Sequence, residues 1–191
     1  MLILSQAPIL VFDDADLISA VNGVAFASFV ASGQTCISGT RLIVQDKIYD
    51  DFLDMFLRKV EGIHRGIGDR RSNFPQNFDV TMKIYGPALN PKSTMGTIIS
   101  LRHLERIESM INNRQSGSLL AGGSRMMAHS ALDGFDLSQG SFFPPTVVEN
   151  VCTTDELWSE EVFGPVVVMK RFTVSQKASR KAHVYPRTDR K

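Results

Sequence analysis

Hydrophobic positions along the chain alternate between two periods, and the points where the period changes mark out its elements. Residues 8–12 are a short apolar run of the kind a buried strand makes. Asp13 or Asp14 then stands where it can cap a helix running to about Val30, with Leu17, Val21, Val24, Ala25 and Ser28 on one face. The run Gly33-Gln34-Thr35-Cys36 breaks that helix, because glycine favours a left-handed or tight backbone. Residues 40–45 predict a strand, and 47–62 an amphipathic helix with Ile48, Phe52, Met55, Phe56 and Val60 at helical spacing. A third helix is predicted over 100–113, its apolar side carrying Leu101, Leu104, Ile107 and Ile111. Residues 117–122, 142–148 and 165–172 read as further strands. The last is a nearly continuous apolar run, typical of a parallel sheet covered on both faces. Strands alternate with helices, so the fold class is α/β.

Two segments fall outside this rhythm. Residues 70–86 (RRSNFPQNFDVTMKIYG) show neither period and carry a proline in mid-segment. Residues 176–191 hold six of the 21 basic residues and a single acid, Asp189. The other 15 basic and 19 acidic residues leave the rest of the chain at −4, so this tail alone turns the total to +1. A basic arm suits nucleic acid or an acidic membrane, but the tail lacks a glycine-aromatic motif or a helical stripe. A disordered, solvated tail is therefore expected, with no nucleic-acid partner.

Residues 17–40 run for 24 positions without a charge, long enough to span a membrane. Asn22, Gln34, four serines and three glycines within them favour a helix buried between the layers of a soluble domain, so no membrane association is expected. The first residues have no positive charge ahead of their apolar run, unlike a signal peptide. Two cysteines 116 positions apart form neither a disulfide framework nor a C-x-x-C pair, and a reducing, cytoplasmic location follows as the expectation.

Three features bear on chemistry. Cys36 lies at a helix–strand boundary, where unused backbone N–H groups can stabilise a thiolate and an oxyanion; the competing reading is a small buried hydrophobe. Cys152, in E-N-V-C-T-T, has no such setting, and only the second reading applies to it. His64, His103, His129 and His183 show no metal spacing, and His103 is read as a solvated side chain. No metal site is expected. Finally, Glu160-Glu161-Val162-Phe163-Gly164-Pro165 stands immediately before a strand, and a carboxylate there can accept two hydrogen bonds from a ribose diol.

In order, G-Q-T-C followed by T-R-L-I-V, then N-P-K-S-T-M-G, F-F-P-P-T-V and E-E-V-F-G-P-V resemble the aldehyde dehydrogenase superfamily. The resemblance implies a partial catalytic domain over 8–175, interrupted by 70–86, with 1–7 and 176–191 outside it. The implied fold is an open, twisted, mostly parallel sheet with flanking helices. It implies Cys36 as nucleophile, Glu161 on the nicotinamide ribose, Phe163 near the nicotinamide, NAD or NADP as cofactor and an aldehyde as substrate. Leu2 stands where the family has its general-base glutamate, and leucine takes no proton. The oxyanion asparagine and dinucleotide-binding domain of the family have no counterpart in these 191 residues. The insert of 17 residues corresponds to 51 nucleotides, the length of a small retained intron. The chain is therefore expected to be a truncated or mis-spliced dehydrogenase, inactive alone. The alternative is a non-catalytic fragment that associates with full-length aldehyde dehydrogenase subunits, since a partial sheet leaves an edge unpaired.

Overall fold

Alternation of side chains along three strands divides the core between two faces of one sheet. On β2 (Arg41–Gln45), Leu42 and Val44 point to one face and Ile43 to the other. On β7 (Val166–Phe172), Val167 and Met169 join the first face, while Val166, Val168 and Phe172 join the second. On β6 (Thr146–Glu149), Val147 and Val148 divide in the same way. Strands apolar on both sides need a layer of helices on each. The computed structural model describes residues 7–64, 84–85, 93–130 and 134–173, and these form that three-layer arrangement.

The sheet has the order β1-β2-β7-β6-β5, with β1 at Pro8–Val11 and β5 at Ser118–Ala121. The pairs β1/β2, β2/β7 and β6/β7 are parallel, whereas β5 runs antiparallel to β6 and forms one edge. The sheet is thus mostly parallel, as expected. A separate parallel pair joins β3 (Ile84–Tyr85) to β4 (Ser93–Met95).

Helices α1 (Leu17–Phe29) and α2 (Tyr49–His64) cover the first face. Phe56 lies between Phe29 and Phe52, with ring centroids 6.2 and 5.8 Å away, and all three rings are fully buried. Helices α3 (Leu101–Asn112) and α4 (Glu156–Ser159) cover the second face through Leu104, Ile107, Ile111, Leu157 and Trp158. None of the described helices is long and apolar enough to cross a membrane. The uncharged stretch 17–40 instead buries Val21, Val24, Ala25 and Phe29 against the sheet.

Several boundaries differ from the sequence expectation, each for a local reason. Asp16 caps α1 by accepting from the Ser19 amide at 2.8 Å, in place of Asp13 or Asp14. Asp13 is occupied elsewhere: its amide donates to Gln45 Oε1 at 2.9 Å and its carboxylate meets Lys47 at 3.0 Å. Leu101 is exposed, because the first residue after the Ser100 cap faces away from the sheet. The strand expected from 142 begins only at Thr146, since Pro144 and Pro145 have no N–H to give to a ladder; Phe142 and Phe143 are buried nonetheless. Helix α4, not anticipated, is capped by Asp155, which accepts from the Leu157 amide at 3.0 Å. The termini 1–6 and 174–191, and nearly all of 70–86, lie outside the described residues; within that last segment only β3 is described.

Phe56 is the most consequential packing residue on the first face. Replacing it by alanine leaves a ring-sized void and should cost about 3–5 kcal/mol. Urea unfolding followed by circular dichroism should show a large fall in the midpoint of Phe56→Ala, or loss of the cooperative transition.

Candidate active site

The segment that carries Cys36 leaves α1 through an unusual backbone. Ala31, Ser32 and Gly33 take φ of 51°, 57° and 69° in succession. For the two non-glycine residues this left-handed geometry costs about 1–2 kcal/mol each. Side chains from the same segment hold it in place. Ser32 Oγ donates to Gly96 O at 3.0 Å. Gln34 donates through Nε2 to Thr97 O at 3.2 Å and accepts the Ile99 amide at 2.8 Å through Oε1. The amide side chain of Gln34 thereby acts as one rung of a strand ladder against 97–99. Ser38 N donates to Thr35 O at 3.0 Å, closing a turn that holds Cys36 at the surface. The chain then returns to the core, with Ser28 Oγ donating to Gly39 O at 2.7 Å and Gly39 N donating to Ala27 O at 3.1 Å.

Gly33 also joins this loop to the second one. A Cβ built on Gly33 would lie 2.1 Å from Gly164 O and 2.8 Å from Pro165 N, so only glycine allows the approach. The structure therefore brings the loop of Cys36 and the segment Glu160–Pro165 into direct backbone contact, although they are far apart in sequence.

The second loop is held from behind by α3. His103 Nε2 lies 2.8 Å from Phe163 O; a carbonyl only accepts, so the ring proton is on Nε2. Arg106 donates through Nη1 to Val162 O at 3.0 Å and through Nη2 to Glu161 O at 3.1 Å. Phe163 takes φ 56° and sets its ring edge-on to His103, with centroids 6.3 Å apart. Gly164 lies over Ile107: a Cβ there would be 2.5 Å from Ile107 Cδ1. Glu161 is 9% exposed, and no described residue donates a hydrogen bond to its carboxylate. Burial pushes its carboxyl up from the usual carboxylate value, with the Arg106 charge opposing the rise. A carboxylate with no donor among the described residues keeps its acceptor oxygens open to a ligand that carries hydroxyl or amide donors.

Three expectations from the sequence are corrected here. Cys36 is exposed, so the buried-hydrophobe reading is removed for it. Cys152 is exposed too; it lies just beyond β6, where its amide donates to Ser116 Oγ at 2.6 Å. A hydrogen bond with Thr154 Oγ1 at 3.2 Å, helped by the nearby Lys170, holds the Cys152 thiol below its ordinary value. His103 is half-buried and bonded rather than solvated, because the Phe163 carbonyl turns toward it. The clamp residue Arg106 was not identified from the sequence. Its signal was its spacing from His103, one turn on the same helix face. Among the described residues no group of three His, Cys, Asp or Glu could hold a metal.

The sequence model described as the aldehyde dehydrogenase family matches residues 3–183. A probable NADP(+) succinate-semialdehyde dehydrogenase of Sinorhizobium fredii is 33% identical over 93% of the chain. A betaine aldehyde dehydrogenase of Mesorhizobium japonicum is 32% identical over 87%. Among solved structures, HpcC of Thermus thermophilus superposes with a TM-score of 0.77 at 32% identity over 93% of the chain. A betaine aldehyde dehydrogenase of Staphylococcus aureus crystallised with NAD+ gives 0.71 at 31% identity, also over 93%. The chain spans only about 30% of the length of these proteins.

The burial of Glu161 generates a pH signature. A carboxyl that is harder to ionise in the folded chain binds more protons there than when unfolded. Stability therefore falls as pH rises from the ordinary value near 4.5 toward the raised folded value. Glu161→Gln removes this contribution. Urea midpoints measured at several pH values should show wild type losing stability relative to E161Q between acid and neutral pH. Parallel curves would contradict the assignment.

Proposed function

The chain belongs to the aldehyde dehydrogenase family, and from that premise we propose that its two joined loops are the nucleophile and cofactor-ribose parts of a site that oxidises an aldehyde to a carboxylic acid. The observation that supports this reading is the Gly33–Gly164 contact, which joins the backbone leading to Cys36 to the segment that carries Glu161 and Phe163. Cys36 is the nucleophile: its thiolate sulfur bonds the aldehyde carbon, and the carbonyl oxygen becomes an alkoxide. Its position in a tight surface turn gives an aldehyde access to the sulfur. Glu161 accepts the two hydroxyls of a nicotinamide ribose, and Phe163 packs beside the base. NAD or NADP, when bound, supplies the hydride acceptor that turns the thiohemiacetal into a thioester. Water then adds to the thioester carbon, the carbon–sulfur bond breaks, and the acid leaves with the Cys36 thiolate restored. A base must take the proton of that water, and Leu2 stands where the family's glutamate would serve. We place this chemistry in the cytoplasm.

A second reading rests on β1. Among the described residues no strand pairs with its outer edge. A largely apolar groove of about 480 Å³ runs between β1 and α1, lined by residues such as Ile9, Val11, Gly23 and Ala27. Phe12 and Phe26 are exposed beside it, at 44% and 66%. An open strand edge with apolar flanks suits association with full-length family subunits.

Three measurements separate these readings. Mixed with an aldehyde and NAD, the 191-residue polypeptide should show no catalytic turnover, since these residues hold no counterpart of the family's base, oxyanion asparagine or dinucleotide-binding domain; sustained production of reduced nicotinamide would overturn that. Carbon-13-labelled aldehyde should nevertheless give a thiohemiacetal resonance that Cys36→Ser removes and Cys152→Ser leaves. Retention of the signal in C36S would overturn the assignment of the nucleophile. Co-purification with a full-length family member would support the second reading, and a monodisperse monomer in such a mixture would count against it.

A further inference from the structure

We propose that Arg106 and His103 are positioning residues that hold the Glu161 loop by its carbonyls and so keep both oxygens of the Glu161 carboxylate available to a ligand diol. This rests on the cofactor reading of that loop and adds to it the device that shapes the subsite.

The argument starts from what a cation and a carboxylate do when left to themselves. Arg106 is the charge that acts on the Glu161 carboxyl, and a guanidinium beside a carboxylate ordinarily forms a two-pronged ion pair. Here it does not. Both terminal nitrogens of Arg106 are given to main-chain oxygens, Glu161 O and Val162 O, and His103 takes the next one, Phe163 O. Three successive carbonyls thus converge on two side chains that stand one turn apart on α3. In an extended segment successive carbonyls point to opposite sides, so convergence demands a bend. The left-handed φ of Phe163 is part of that bend.

The division of labour has a chemical result. The charge of Arg106 still favours the ionised carboxylate, yet none of its N–H groups competes with a ligand for the acceptor oxygens. The Phe163 ring is turned by the same bend and steadied edge-on by His103. The clamp also depends on shape as well as charge. A planar guanidinium bridges two adjacent carbonyls with two N–H groups in a fixed fork, whereas an ammonium is a point charge and holds no such fork.

The experiment uses the whole 191-residue chain, isotopically labelled, with Arg106→Lys, His103→Gln and the double variant. The first readout needs no ligand: the Cα and Cβ carbon shifts of Phe163 report its left-handed backbone. They should move toward coil values in R106K and H103Q, and furthest in the double variant, while the shifts of α1 and α2 stay fixed as a check on folding. Unchanged Phe163 shifts in the double variant would overturn the clamp. Should the double variant unfold, the two single variants decide by the same criterion. The second readout is titration with nicotinamide mononucleotide, with nicotinamide alone as the control lacking a ribose. Wild type should show shifts at 161–164 that E161Q loses, and R106K should bind about tenfold more weakly, the loss expected for about one hydrogen bond. An absence of any wild-type response to the mononucleotide would sink the ribose reading, while the clamp would still be judged by the Phe163 shifts.

Discussion

The contact between Gly33 and Gly164 is the constraint around which the candidate site is arranged. It is a backbone-to-backbone approach, close enough that a single added carbon on Gly33 would overlap the carbonyl opposite. Neither side reaches it by relaxed geometry. Ala31, Ser32 and Gly33 are left-handed on one side, and Phe163 on the other. Such strain persists only where surrounding interactions determine it, and here they are identifiable. Gln34 and Ser32 bind the first loop to 96–99, while Arg106 and His103 bind the second to α3. Helix α3 in turn is fixed by Leu104, Ile107 and Ile111 in the core of the second face. The chemistry of the loops is thus anchored in the packing of the sheet.

The two faces have different duties. The first, under α1 and α2, holds the stacked rings of Phe29, Phe52 and Phe56 and no part of the site except the end of α1. The second, under α3 and α4, reaches the site directly, since Ile107 touches Gly164. At the far end of the sheet, Arg171 meets Asp46 and Asp50 and lies over the Tyr49 ring, tying β7 to the start of α2. These exposed ion pairs are screened by solvent and add little stability, so the apolar layers dominate.

Much of this could be read from the residues. The period-2 and period-3.6 patterns located every long element, and the apolar run at 165–172 revealed a strand covered on both sides. Cys36 and Glu161 were singled out by their neighbours in the chain. What the sequence concealed was anything settled by distant partners. Asp13 looks like a cap until Gln45 and Lys47 claim it, and the cap falls to Asp16. His103 looks solvated until the Phe163 carbonyl turns toward it. Arg106 is marked in the sequence only by its one-turn spacing from His103. Its role exists only because a loop more than fifty residues away presents carbonyls to it.

The strand order carries a consequence for synthesis on the ribosome. Strand β7 lies in the middle of the sheet between β2 and β6, yet it is the last strand described along the chain. Its residue Arg171 meets Asp46 across a separation of 125 positions. As the polypeptide emerges, β1 and β2 must wait with an open inner edge, and so must β6, until the strand that joins them is translated. Contacts that distant in sequence form slowly, and waiting edges rich in valine and leucine are prone to pairing with other nascent chains. The centre of the sheet, the part most fully buried at the end, is the part that a chaperone would be called on to guard longest.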